Sequence, residues 1–211
     1  VLITGASRGI GKAIALALGK RKAKVIVNYF SSELEAEKVV SETKNYGSDA
    51  FAIKCDISNE EQVKKMIEQI MKKFSKLDIL VNNAGVCFES SLNKKSVNEW
   101  KRTLDVNLLG TFLCSKYASQ NMVKGSIVNI SSTNGINTLN PLEMDYDTSK
   151  AGVISLTQNL AKVLSPNIRV NCIAPGWVET DMAKSFSKEF LEKEKSKILL
   201  GRFAKSEEIA N

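Results

Sequence analysis

The 211-residue sequence contains no histidine. That single absence removes Ser-His-Asp and Cys-His nucleophilic machinery, HExxH zinc sites and imidazole general bases together. Any acid or base must therefore be Tyr, Lys, Asp or Glu. Proline is scarce, and Pro141, Pro166 and Pro175 all fall between the predicted elements, where a missing N–H does least harm. The four cysteines, Cys55, Cys87, Cys114 and Cys172, lie far apart with no CxxC pair. This argues against a disulfide framework or a thiolate zinc site and for buried free thiols, so no metal is expected. No apolar run approaches the roughly 20 residues of a membrane-spanning helix, and the first, VLIT, breaks into a glycine loop rather than a cleavage site. Repeats, low-complexity tracts and interdomain linkers are also missing. A cytoplasmic protein without membrane association is the expectation.

What is present suits one globular domain spanning residues 1–211, with 43% hydrophobic and 25% charged side chains. The net charge of +7 suits an anionic cofactor, an acidic carrier protein or nucleic acid. Yet the lysines alternate with acids in stretches such as KKMIEQIMKKF, as on a solvated helix face. No stacking aromatics interleave with the basic residues, so a nucleic-acid partner is not expected.

Short β-branched runs alternate with longer amphipathic stretches, the pattern of a doubly wound α/β fold with a parallel sheet covered by helices on both faces. VLIT (1–4), KVIVN (24–28), AFAIK (50–54), DILVN (78–82), SIVNI (126–130) and RVNCIA (169–174) read as strands. Each is nearly continuous in apolar residues, as a strand buried on both faces would be. Helices are predicted near Gly9 to Gly19, Ser32 to Tyr46, Glu60 to Phe74, Asn98 to Gln120 and Tyr146 to Leu164. Apolar residues three and four apart mark a core stripe, Trp100, Leu104, Leu108 and Phe112 in one helix and Val153, Leu156, Leu160 and Leu164 in another. Both helices are apolar over more than one narrow stripe, which predicts a further face buried against a second subunit, most simply in a two-fold dimer. The polar, lysine-rich segment from Glu179 to Leu200 reads as a weakly helical, mobile cover over a site.

The first strand runs through Thr4-Gly5-Ala6-Ser7-Arg8-Gly9-Ile10-Gly11 directly into helix. Backbone N–H groups and the positive end of that helix then face whatever binds, and pyrophosphate is the natural ligand. A glycine triplet also serves purely structural turns, but its place after the first strand of a βαβ pattern favours a dinucleotide. Folds that prefer NAD place an acid at the end of the second strand. Here that stretch is Asn28-Tyr29-Phe30-Ser31-Ser32, without an acid. Arg8 can meet a 2′-phosphate with its fork of donors, and Ser31 and Ser32 can add hydroxyl bonds, so NADP(H) is expected over NAD(H).

Tyr146 and Lys150 are four apart in YDTSK and share a helix face. A phenol with a pKa near ~10 exchanges protons poorly at neutral pH. A nearby ammonium favours phenolate and brings that value down. Ser131 and Ser132 close the strand SIVNI at its carboxyl end, where open α/β sheets bind ligands. A substrate carbonyl oxygen can then take hydrogen bonds from Ser132 and Tyr146 as charge develops on it.

Together these pieces resemble the short-chain dehydrogenases/reductases along nearly the whole chain, through TGASRGIG, CDIS with Asp56, NNAG at 82–85, VNLLGTF with Asn107, NISS, YDTSK and APGWVETDM. The resemblance implies a catalytic tetrad of Asn107, Ser132, Tyr146 and Lys150. In it Tyr146 is the acid/base, Lys150 lowers its pKa and binds the nicotinamide ribose, Ser132 orients the substrate, and Asn107 holds a water in the proton relay. The glycine loop (Gly5, Ser7, Arg8, Gly9, Ile10, Gly11) and Asn28, Tyr29, Ser31 and Ser32 would bind the cofactor. By the same likeness Asp56 and Ile57 would meet the adenine, Asn83, Ala84 and Gly85 would line the cleft, and Pro175, Gly176, Val178 and Thr180 would hold the nicotinamide end. Strand-end scaffolding is the other reading of NNAG.

Two features depart from the family pattern. The loop through Asn140-Pro141-Leu142 carries one extra residue between Ser132 and Tyr146, and Ser132 is preferred to Ser131 because Gly135 follows three residues later, as in the family. Family members also continue beyond EEIAN into the rest of a helix and a last strand, expected to be missing here. PGWVETDM and GRFAKSEEIAN look most like the 3-oxoacyl-carrier-protein reductases of fatty acid synthesis, which implies a carrier-bound substrate, basic docking residues and a tetramer. Where those enzymes often carry arginines, this sequence has Val123 with Lys124 and Pro166 with Asn167. Reduction of a sugar, polyol or other small ketone therefore stays open. A catalytically silent dinucleotide-binding sensor or scaffold is the reading from another class.

Overall fold

The structure, a computed structural model, describes residues 1–181 and 187–211. Six strands form one parallel sheet: β1 (Leu2–Ile3), β2 (Val25–Tyr29), β3 (Ala50–Lys54), β4 (Ile79–Asn82), β5 (Gly125–Ile130) and β6 (Ile168–Ile173), in the order β3-β2-β1-β4-β5-β6. Helices α1 (Gly9–Lys20), α2 (Glu33–Asn45), α3 (Glu60–Phe74), α4 (Val97–Leu104), α5 (Gly110–Ser119) and α6 (Met144–Leu164) connect them, followed by α7 (Lys188–Ser196) and α8 (Ser206–Ala210). Among the described residues no helix is long and apolar enough to cross a membrane.

The sheet separates two apolar clusters because successive side chains of a strand point to opposite faces. Leu2, Ile26, Leu80 and Ile127 pack on one side with α3 and α5, while Ile3, Val25, Val27 and Val81 pack on the other with α1 and α2. In β1, Leu2 stands opposite both Ile26 and Leu80, so three neighbouring strands bury their apolar residues in register. Each such fully buried side chain contributes about 1.5–3 kcal/mol.

The outer strands differ from the sequence expectation. β3 and β6 have a neighbour on one side only, and Lys54, Arg169 and Asn171 are exposed, so these two strands lack the double-sided burial of β1, β2 and β4. The helix expected over Asn98–Gln120 is also interrupted. After α4, which opens with a capping box between Ser96 and Glu99, a π-helical turn over Asp105–Leu109 leads into α5. That extra residue rotates the faces. The buried side is Thr103, Val106, Asn107, Gly110, Thr111 and Cys114, whereas Trp100, Leu104 and Leu108 are half-buried and Phe112 is exposed. The stripe read from periodicity is therefore the outward edge of the helix. In α6 only Val153 of the expected stripe is fully buried. Cys55 and Cys114 are buried as expected, but Cys87, in the loop after β4, and Cys172, on the edge strand β6, are half-buried.

All strands run the same way, so their carboxyl ends share one edge, and the order reverses between β1 and β4. Loops leaving these two strands part there and open a crevice. The turn after β1 depends on Gly5, whose φ of +61° suits glycine and whose missing Cβ leaves room for Ala84 beyond β4. In Gly5→Ala the new Cβ would lie 2.8 Å from the Ala84 Cα. We expect about 2 kcal/mol of destabilisation, read as a lower urea midpoint with an unchanged slope in protein free of nucleotide.

Candidate active site

The crevice is a continuous cleft of about 1380 Å³ across the carboxyl edge of the sheet. Ordinary small-molecule pockets run to roughly 1,000 Å³, so this one has space for a large ligand and a second molecule beside it. Gly5, Ser7, Arg8, Gly9 and Ile10 form one wall, with Asn28, Tyr29, Ser31 and Ser32 at the end of β2 and Asp56 and Ile57 after β3. Asn83, Ala84 and Gly85 after β4 form the floor, and Ser132, Tyr146 and Lys150 stand opposite Pro175, Gly176, Val178 and Thr180. Gly11 and Asn107 are buried behind the walls. Thr180 touches the glycine loop, 3.4 Å from where a Cβ on Gly9 would sit. Of the expected cover, α7 is helical, Ile198 and Leu200 line the cleft, and residues 182–186, including Met182 of the APGWVETDM motif, lie outside the described residues.

The glycine-loop end fits a dinucleotide. Among the described residues no side chain caps the N-terminus of α1, and its first turn holds no acid. Its amide donors are thus left facing the cleft, where a pyrophosphate would complete them. Asn28 has another task. Its amide accepts from Gly5 N at 3.2 Å and donates to the carbonyls of Ile53 and Cys55 at 3.3 and 3.2 Å, tying β2 to both neighbouring strand exits. Asp56 accepts from the backbone and hydroxyl of Ser58 at 3.0 and 2.6 Å and from Arg102 at 3.1 Å. Burial pushes the Asp56 carboxyl up, but the Ser58 bonds and Arg102 outweigh it and hold the group below its ordinary range. Arg102 also lies over the Phe30 ring, 5.4 Å from its centre.

At the other end, Lys150 Nζ is 5.5 Å from the centre of the Tyr146 ring and donates to Ile130 O at 2.9 Å. Asn107 accepts from Val86 N at 2.8 Å and donates to Val86 O and Ser149 Oγ at 2.9 and 3.0 Å, which fixes it between the β4 loop and α6. The π-helical turn is what aims it there, in keeping with the concentration of such turns at functional sites. Ser131 and Ser132 are separated by their partners. The Ser131 hydroxyl donates to Lys150 O at 2.7 Å, whereas that of Ser132 bonds the Tyr146 hydroxyl at the cleft surface. Gly135 lets the turn after β5 lie on α6, since a Cβ there would meet the Lys150 carbonyl carbon at 2.6 Å.

With this geometry in view, comparison with known proteins is decisive. Residues 1–190 match the short chain dehydrogenase family. The chain belongs to that family. It is 42% identical to the 3-oxoacyl-[acyl-carrier-protein] reductase FabG of Staphylococcus aureus, over 100% of this chain and 87% of the relative. It is 43% identical to that of Aquifex aeolicus, over 100% and 86%. Among solved structures, a short chain dehydrogenase from Burkholderia cenocepacia in complex with NADP superposes with a TM-score of 0.95 at 33% identity, covering 99% of this chain and 86% of that one. A Serratia marcescens short-chain dehydrogenase/reductase gives 0.94 at 34%, with the same coverage.

In this short-chain dehydrogenase burial, not charge pairing, dominates the tyrosine and lysine. Burial pushes the Tyr146 phenol up, with the Ser132 hydrogen bond pulling the other way, and it lowers the Lys150 ammonium to about 8. The direction for Tyr146 is opposite to the one expected of a nearby ammonium, because burial disfavours the phenolate and negative charge at Cys87, Glu143 and Asp147 adds to that effect.

Several cleft residues went unseen in the sequence: Arg102, Asn134, Glu143, Cys87 and Trp177. For Glu143 a signal existed, since it lies one helical turn before Tyr146. Next to Tyr146, Asp145 is buried in an ion pair with Lys95 at 2.9 Å and accepts from Thr103 at 2.8 Å, binding the β4 loop and α4 to the first turn of α6. Removing either charge leaves the other buried and alone, a change that typically costs about 3–5 kcal/mol.

Glu143 is itself buried against Cys87, and burial raises its carboxyl above the ordinary 4.5. The folded chain then keeps this proton at pH values where the unfolded chain has released it, so the residue's cost to stability grows as pH rises from 4.5. Glu143→Gln removes that cost. We expect its urea midpoint to exceed that of the parent at pH 7 and the gap to close at pH 4.

Proposed function

We propose that this chain reduces a carbonyl to an alcohol with NADPH, and that its substrate is a 3-oxoacyl thioester held on an acidic carrier protein. The observation that carries the chemistry is Tyr146, hydrogen-bonded to Ser132 and backed by Lys150, at one end of a cleft whose other end is an uncapped helix N-terminus.

The glycine loop, Asp56 and Ile57, Asn83 to Gly85 and Pro175 to Thr180 would hold the dinucleotide. Bound there, it supplies the hydride for the carbonyl carbon. Ser132 and Tyr146 grip the carbonyl oxygen, and Tyr146, kept protonated by burial, gives that oxygen its proton. The buried ammonium of Lys150 stabilises the phenolate left behind, and Asn107 holds a water through which the proton is replaced. NADPH is favoured by Arg8 in the glycine loop and by a β2 end without an acid; the Burkholderia cenocepacia relative was solved with NADP. A thioester is favoured by the names of the relatives and by Phe88, Leu139, Ile198 and Leu200, which give the outer cleft an apolar lining for an acyl chain.

The polar wall of Glu143, Asn134 and Asn140 supports a second reading, a small ketone bearing hydroxyl groups. Exposed Leu109 and Phe112 on the α4–α5 side and Val163 on α6 support assembly with a second copy.

Turnover of acetoacetyl-coenzyme A against a panel of hydroxyketones, followed by NADPH absorbance, separates the two substrates. Tyr146→Phe is expected to lose about 10²-fold or more in kcat while its NADPH affinity, from fluorescence titration, stays within twofold or so. Parent-like turnover would take Tyr146 out of the mechanism. Arg8→Ala should weaken NADPH binding by about tenfold and leave NADH nearly unchanged; equal losses for both would remove the 2′-phosphate from the argument.

A further inference from the structure

We propose that Asn134 is a positioning residue for Ser132: anchored on the Asp147 carboxylate, its side chain holds the Ser132 hydroxyl in place beside Tyr146. The inference rests on the roles given above to Ser132 and Tyr146.

Asn134 sits in the short turn after β5 and reaches across to α6. Its Nδ2 donates to Asp147 Oδ1 at 2.7 Å and to Glu143 Oε2 at 3.3 Å. Facing two acids fixes the amide, because a flipped group would put its oxygen against both. Oδ1 must then face Ser132, and it lies 3.5 Å from Ser132 Oγ. The backbone N–H of Asn134 meanwhile donates to Ser132 Oγ at 3.2 Å. One lone pair of the serine oxygen is thus occupied, and Asn134 Oδ1 stands beside its proton as a second, looser acceptor next to Tyr146, so the hydroxyl is kept at this place while its proton can turn. An arriving carbonyl oxygen can take that proton without breaking a strong bond.

Asp147 is the residue after Tyr146 and is itself buried. The path from Asp147 through Asn134 to Ser132 therefore joins the catalytic helix to the strand end that carries the serine. Ordinary turn capping explains only the backbone bond, which any residue but proline at 134 would keep. The side-chain anchor is separable, and a variant can isolate it.

Asn134→Ala should lower kcat about tenfold, the usual scale for a loosened reacting group, with NADPH affinity and thermal midpoint close to the parent. In a Ser132→Ala background the same change should cost less than about twofold, because two residues acting through one hydroxyl are not additive. Asp147→Asn, which keeps the shape but sets an N–H against one of the two donors, should show the same dependence on Ser132. An unchanged kcat in Asn134→Ala overturns the proposal. So does an equal loss with and without Ser132, or a loss accompanied in both variants by weakened NADPH binding, the mark of a collapsed site. Full activity in Ser132→Ala, or no NADPH oxidation with any carbonyl offered, would instead sink the reading of Ser132 and take the inference with it.

Discussion

Asn83 clamps the exits of β1 and β4 to one another. Its Nδ2 donates to Thr4 O at 2.9 Å and Gly5 O at 3.1 Å, and Thr4 Oγ1 accepts in return from the backbone of Asn83 and Ala84 at 3.0 and 3.1 Å. These four bonds span the point where strand order reverses, which is also where the cleft opens. Without them the strand ends would carry unpaired polar groups beside an apolar floor, each costing about 1–3 kcal/mol. One residue earlier, Asn82 donates to Ser115 and Asn129, and Asn129 donates to Thr157 of α6. Amide side chains thus replace the apolar contacts that a core would otherwise use, and they fix direction as well as distance. The glycine turn and α6 are held to the same few strand ends.

The electrostatics of Tyr146 and Lys150 follow from this enclosure. Lys150 is surrounded by strand ends and the β4 loop, so its ammonium is desolvated and lowered to about 8, yet it remains mostly charged at neutral pH. Tyr146 moves the other way. The phenol is therefore the group that keeps its proton, which suits the role proposed for it as a donor to a developing alkoxide.

The sheet and most helices were legible because they follow local pattern: short apolar runs for β1 to β6, and longer amphipathic stretches for α1 to α3 and α6. The glycine loop and the Tyr146–Lys150 spacing were legible for the same reason, being sequence-local. What depends on tertiary contact was not. The π-helical turn at Asn107 arises where Gly110 packs against Ile57 and the Asn107 amide locks onto Val86, partners 53 and 21 residues away. Periodicity finds an apolar stripe but not which side of the helix meets the sheet, so Trp100 and Leu108 were assigned inward. Arg102 could not be linked to Asp56 across 46 positions. The direction of the Tyr146 shift was equally hidden, since a sequence shows the lysine four residues on but not the degree of enclosure.

The loop between Ser132 and Tyr146 is placed by contacts at its two ends. Both hydroxyls line one cleft although thirteen residues lie between them, so loop length does not govern their spacing. The turn after β5 is instead pressed on α6 at Gly135, and Ser131 donates to Lys150 O at 2.7 Å, so strand end and helix are joined directly. Asp147 then takes up the slack, accepting from Asn140 N at 2.9 Å with one oxygen while the other holds Asn134. The loop is fastened at both its beginning and its end to a single buried carboxylate. Length between those points can vary at the modest entropic cost of a longer loop without moving the serine or the tyrosine.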